Sequence, residues 1–186
     1  MILYVAAAAA ARLAFYPSLL YTVLLEKLSS RKWFHRIDGT ILVGALPFRC
    51  MSQQLIEEEN VRGVITMNEE YETWLWCNTA EEWQAMGVEQ LRLSTVDLTG
   101  IPTLENLERG VAFALKHRQI GNSVYIHCKA GRSRSPTMAA AYLIMVNKWS
   151  PQQAVRHIAS IRPHILVRQG QLEALEQFYR LNLCGG

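Results

Sequence analysis

One loop constrains this chain more than any other stretch. His127-Cys128-Lys129-Ala130-Gly131-Arg132-Ser133-Arg134-Ser135 sets a cysteine and an arginine either side of five residues, with a histidine before the cysteine and a glycine three after it. Val124, Tyr125 and Ile126 read as a buried strand, and Pro136 to Asn147 as an apolar helix. The loop therefore joins a strand end to a helix N-terminus. Backbone N–H groups there lack intrahelical partners, and the helix dipole favours negative charge, so a phosphate or a thiolate suits the place. Arg134 can fork onto two phosphate oxygens. In such a field the Cys128 thiol is expected among activated cysteines, at a pKa of roughly 3.5 to 7.5. The alternative, a packed structural cysteine, does not account for the arginine and glycine at these spacings. A nucleotide phosphate loop is excluded, because it needs Gly-Lys-Ser/Thr and Gly131 is followed by Arg132 and Ser133.

The rest of the chain alternates strands with helices. Ile41 to Leu46, Val61 to Met67 and the alternating run Val88 to Leu93 read as strands. Gln53 to Glu59, Ala80 to Met86 (capped by Thr79), Leu104 to Ile120 (capped by Thr103) and Gly170 to Leu181 read as helices. Ser150-Pro151-Gln152-Gln153 is a capping box with proline at the first helical position, which starts a helix running to about Ile161. This pattern predicts an α/β fold, a mainly parallel central sheet flanked by helices on both faces. Ligands bind such sheets at the carboxyl ends of the strands, where Asn68, Asp97 and Cys128 all fall.

The loop resembles the signature of the cysteine-dependent tyrosine and dual-specificity phosphatases. The resemblance implies two-step chemistry, in which thiolate Cys128 attacks phosphorus and water then hydrolyses a phosphocysteine. Arg134 and the backbone of Lys129, Ala130, Gly131, Arg132 and Ser133 would hold the phosphate. His127 would orient the loop and help keep Cys128 ionised, and Ser135 would hydrogen-bond the departing thiolate. Family members supply a general acid from an upstream loop. Asp97, between a strand and the chain-breaking Gly100 and Pro102, is the candidate here. No metal or cofactor is expected, and no His or Cys spacing argues for a metal site.

Composition bounds the partners. With 186 residues, 50% of them hydrophobic, the chain has room for one real core. A net charge of +3 is too small to imply nucleic acid. Cys50, Cys77, Cys128 and Cys184 show no paired spacing, so no structural disulfide is expected. Cys50 or Cys77 remains a candidate resolving partner for oxidised Cys128. Residues 1–30 form an apolar segment with an alanine run, Ala6 to Ala11, and with Lys27 near its end. Three readings stand for it: an organelle-targeting segment, a membrane anchor, or a helix packed on the domain. Residues 31–183 are read as the catalytic domain, and Arg31, Lys32 and Arg36 at its start suit an anionic membrane surface.

Charge also bears on the substrate. Lys129 and Arg132 join Arg134 in one loop, which is more cation than one phosphate requires. Extra cations suit a substrate with a second anionic group, such as a phospholipid headgroup. Glu69, Glu70, Tyr71 and Glu72 form an acidic stretch after a strand, from which one carboxylate is expected to salt-bridge Arg134. Trp74 and Trp76 follow, equally suited to a core or to an interface. Asn68–Glu72, His35–Asp38, Gly44–Pro47, Gln90–Asp97 and the signature loop together are similar to the mitochondrial, phosphatidylglycerophosphate-hydrolysing branch of the dual-specificity family, over about residues 13 to 182. That resemblance implies an anionic phospholipid substrate, a cardiolipin precursor as product, and the matrix side of the mitochondrial inner membrane. The alternatives are a dual-specificity protein tyrosine/serine/threonine phosphatase and a non-catalytic phospholipid-binding module. The binding module needs neither Cys128 nor Asp97.

Overall fold

The computed structural model describes residues 15–29, 31–97 and 99–184. A five-stranded sheet forms the centre, in the spatial order β1-β2-β5-β3-β4. The strands are β1 Phe34–Arg36, β2 Ile41–Gly44, β3 Val61–Thr66, β4 Glu89–Arg92 and β5 Ser123–His127. All pairings are parallel except β1 with β2, so the expected α/β fold holds with one antiparallel edge. That short edge strand, half-buried and without apolar alternation, left no readable signal in the sequence. Gly44, His127, Thr66 and Arg92 lie in register. Four strands thus end at one level, and the chain leaving each of them meets above the sheet edge.

The helices are α1 Phe15–Leu28, α2 Ser52–Glu57, α3 Glu70–Thr73, α4 Ala80–Ala85, α5 Leu104–Gln119, α6 Arg134–Asn147, α7 Pro151–Ile161 and α8 Gln169–Tyr179. One face of the sheet carries α5 to α8 over a core that includes Ile65, Ile126, Leu107, Met138 and Leu175. The other face buries Leu42, Val64 and Tyr125 against Leu55 and Trp83 of α2 and α4. Every residue of α6 from Arg134 to Ile144 is buried, the apolar run Met138 to Ile144 in the core and the polar Arg134, Ser135 and Thr137 at the site end. Thr79, Thr103 and Ser150 accept from the backbone three residues on, as their helix-start patterns predict.

From Phe15 onward the apolar N-terminal segment is a helix packed on the body, with Phe15 and Leu19 buried against Leu46 and Cys77. Residues 1–14 lie outside the described residues. No described helix is long and apolar enough to cross a membrane.

Candidate active site

The loop after β5 is shaped by its carbonyls. Lys129 O accepts from Leu46 N at 3.2 Å, Arg132 O from Leu166 N at 2.6 Å and Ser133 O from Thr137 N at 3.1 Å. Ala130 O and Gly131 O accept from the guanidinium of Arg162, at 3.2 and 2.8 Å. With these carbonyls drawn outward, the peptide N–H groups turn inward and form an anion-binding concavity. Gly131 sits at φ +63°, and a Cβ there would come within 2.5 Å of the Gly44 backbone and 2.6 Å of Arg162. Only glycine fits both the conformation and the space.

Cys128 lies buried at the base of this concavity, its Sγ 3.3 Å from Ser135 Oγ. Burial pushes the thiol up, but Arg134 and the hydroxyl and backbone of Ser135 outweigh it and hold the group below its ordinary range. His127 does not contribute charge. Burial, then Arg92 and Arg134, bring its pKa down to about 3, so it is neutral, with Nε2 2.9 Å from Thr66 Oγ1. Among the groups that lower the Cys128 pKa, Arg134 supplies the charge, and the His127 imidazole sits against the loop and Thr66.

Arg134 is buried and gripped from several sides. Its Nη1 and Nη2 donate in parallel to the two oxygens of Glu72, at 2.9 and 3.0 Å. Nη1 also donates to Thr95 O at 2.7 Å, and Nη2 to Asp97 Oδ1 at 2.8 Å. Burial opposes the guanidinium charge, yet Glu72, Cys128 and Asp97 hold its pKa above the ordinary value. Of the acidic stretch, Glu72 alone meets the arginine. Its remaining lone pairs accept from Asn68 Nδ2 at 2.6 Å and Glu69 N at 2.9 Å. Glu69 and Glu72 form the capping box that starts α3, Glu70 is exposed, and the Tyr71 ring packs edge-on to Phe15 at 5.8 Å. Trp74 and Trp76 are exposed, which settles them as surface rather than core.

Lys129 departs furthest from expectation. It is buried, donating to Asp97 Oδ2 and to Ser18 Oγ, the latter at 2.9 Å, with its ammonium 5.5 Å from the centre of the Phe15 ring. Asp97 bridges Lys129 and Arg134. Lys129 therefore organises the acid candidate instead of waiting for a second anion. Arg132 is exposed, with Nε donating to His164 O at 3.1 Å. The hydroxyl of Ser133 donates to Gln171 Oε1 of α8 at 2.9 Å. Cys128, Lys129, Arg134 and Asp97 open into a cavity of about 180 Å³ whose rim includes Tyr21, Arg132, Leu166 and Arg168.

Sequence reasoning missed three contributors. Ser18 and Phe15 stand in a segment with no catalytic signature, and Arg162 stands alone at a helix end. Of the two candidate resolving cysteines, Cys77 is buried in a separate apolar cluster with its thiol pushed up to about 12, chiefly by burial. Cys50 is exposed. Among the described residues no cluster of His, Cys, Asp and Glu is arranged to hold a metal ion.

Comparison with known proteins is consistent with this geometry. Residues 48–181 match the family model "Dual specificity phosphatase, catalytic domain". The chain is 62% identical over 173 residues to the human phosphatidylglycerophosphatase and protein-tyrosine phosphatase 1, covering 91% of this chain and 86% of that protein. It is 38% identical over 174 residues to the Arabidopsis thaliana phosphatidylglycerophosphate phosphatase PTPMT2, covering 93% of this chain and 75% of that protein. A crystal structure of PTPMT1 in complex with PI(5)P superposes with a TM-score of 0.79 at 61% identity, covering 81% of this chain and 96% of that one.

Proposed function

We propose, from the premise that this chain belongs to the dual specificity phosphatase family and is a cysteine-dependent phosphatase, that it hydrolyses the terminal phosphomonoester of phosphatidylglycerophosphate to phosphatidylglycerol. The observation that carries this reading is near-full-length identity of 62% to a relative named for that activity. On the same reading the product feeds cardiolipin synthesis, and the enzyme works at the matrix side of the mitochondrial inner membrane.

The chemistry follows from the placed groups. Cys128 Sγ attacks phosphorus while the bond to the glycerol oxygen breaks. Arg134 and the inward N–H groups hold the equatorial oxygens as charge moves, which is positioning plus electrostatic stabilisation. The phosphate displaces Asp97 from Arg134, and Asp97, carrying a proton in the substrate complex, passes that proton to the departing alkoxide and is left as a carboxylate. In the second step Asp97 takes a proton from water, the water oxygen attacks phosphorus, and the S–P bond breaks. Ser135 donates to the returning thiolate. With Lys129 engaged by Asp97 and Ser18, the second phosphate of the substrate falls to the rim, beside Arg132 and Arg168.

A second reading, protein phosphatase, is favoured by the other half of the human relative's name, protein-tyrosine phosphatase. Turnover of phosphatidylglycerophosphate in mixed micelles, set against a phosphotyrosine and phosphoserine peptide panel, decides between them. The lipid is expected to be the better substrate by kcat/KM. Faster turnover of peptides would reject the lipid assignment.

A further inference from the structure

We infer that α1 is an interfacial helix, whose outer face enters an anionic lipid surface while its inner face helps build the catalytic pocket. Tyr16, Leu20, Leu24 and Leu28 recur every fourth residue and form one stripe, with Tyr21 beside it. Leu20, Tyr21 and Leu28 are 60%, 59% and 83% exposed. A solvated helix face is normally polar, and a helix apolar on both faces needs an apolar partner on each. The inner face has its partner, through Phe15 and Leu19. The outer face has none among the described residues.

Charge and continuity identify the missing partner as lipid. Lys32, Arg132 and Arg168 are exposed on the same side as the pocket mouth, where Tyr21 and Leu166 supply apolar rim. Cations beside an apolar stripe match anionic headgroups over acyl chains. With Phe15 and Leu19 held against the domain, the exposed stripe meets a bilayer side-on, along its surface. Ser18, on the inner side, receives the hydrogen bond from Lys129 at 2.9 Å. The element that meets the membrane therefore also seats the lysine that holds Asp97, and the mouth opens at headgroup level. This deepens the lipid reading above, and the test below separates the two.

The test uses the full chain, with vesicles of phosphatidylcholine containing phosphatidylglycerol and vesicles of phosphatidylcholine alone. The parent is expected to sediment with the anionic vesicles and far less with the neutral ones. Leu20→Glu with Leu24→Glu, neither lining the pocket, should weaken vesicle binding by about tenfold or more. The same variant should keep its kcat/KM for a soluble aryl phosphate and lose most of its turnover of phosphatidylglycerophosphate in vesicles. The milder Leu20→Gln with Leu24→Gln should show the same split, should the glutamates impair folding. Vesicle binding without turnover of that lipid would support the docking face and sink the substrate. Unchanged vesicle binding in both variants would overturn the inference. So would a parent that ignores vesicles but self-associates in buffer through this face.

Discussion

Two buried arginines flank the same loop and are held in opposite ways. Arg134, in front, is gripped by two carboxylates, and its pKa is raised. Arg162, behind, has no carboxylate partner among the described residues. It donates to the carbonyls of Lys32, Ala130 and Gly131 and to His35 Nδ1, and burial lowers its pKa. Carboxylate partners are themselves anions, so a phosphate can replace one of them: Asp97 occupies a position that a substrate oxygen can take. Carbonyl partners are fixed parts of the backbone, in the loop at Ala130 and Gly131 and before β1 at Lys32, and an anion from solvent cannot replace them. The front arginine therefore exchanges ligands, and the rear one sets shape.

The sharpest way to break the comparison is Arg134→Lys, which keeps the charge and removes the planar fork. We expect kcat to fall by about a hundred- to a thousandfold, measured in single turnover with a soluble phosphate ester. Retention of most activity would mean that charge alone suffices at the front. Glu72→Gln should cost about ten- to a hundredfold in kcat, because the fork loses its bidentate anchor. Since Arg134 stays charged, the pH dependence of Cys128 alkylation should remain on the acid side of an ordinary thiol. A shift toward the ordinary value would show that Glu72 acts through charge and not orientation.

Arg162→Gln is expected to reverse the pattern. Removing several donors from buried carbonyls should lower unfolding stability by about 2–4 kcal/mol in denaturant titrations, with a smaller loss of kcat than Arg134→Lys shows. A loss in turnover equal to that of Arg134→Lys would place Arg162 in the chemistry itself. The smallest effect concerns His127, whose ordinary pKa of 6.5 is depressed to about 3 in the fold. Above 6.5 both folded and unfolded states leave it neutral. Below 6.5 the unfolded chain takes up a proton that the fold refuses, so stability declines as pH falls toward 3. His127→Asn should flatten part of that decline, measured as unfolding free energy against pH. An unchanged slope would mean that other groups dominate acid sensitivity.

The front of the site was largely legible in sequence, and the rear was not. Cys128 and Arg134 declare themselves because their chemistry needs a fixed spacing on a strand–loop–helix, and Asp97 is reached through the family resemblance and the chain breakers Gly100 and Pro102 that follow it. Glu72 was legible only as one of an acidic group, since nothing in Glu69-Glu70-Tyr71-Glu72 says which carboxylate faces inward. The capping box that turns α3 makes that choice. Lys129 was misread because charge counting ignores who else is present, and Ser18 reaches it from far away in the chain. Arg162 acts on carbonyls, which every residue carries, so no partner residue type marks it. The parallel sheet was readable from alternation, while β1 was too short and too polar to register.

The hydroxyl of Ser133 bears on how firmly α6 begins. Ser133 stands at the N-cap of α6, where a serine side chain ordinarily closes the first turn and contributes about 1 kcal/mol. Here no such cap bond forms, because Gln171 has captured the hydroxyl from another helix. The first turn of α6 thus lacks a side-chain cap, and its N–H groups remain available to an anion. Amide hydrogen exchange should reveal this as a local soft spot: the amides of residues 133–135 exchange quickly without added ligand and slow on adding vanadate. Gln171→Ala would return the serine to its own helix, making a steadier terminus and a weaker phosphate trap.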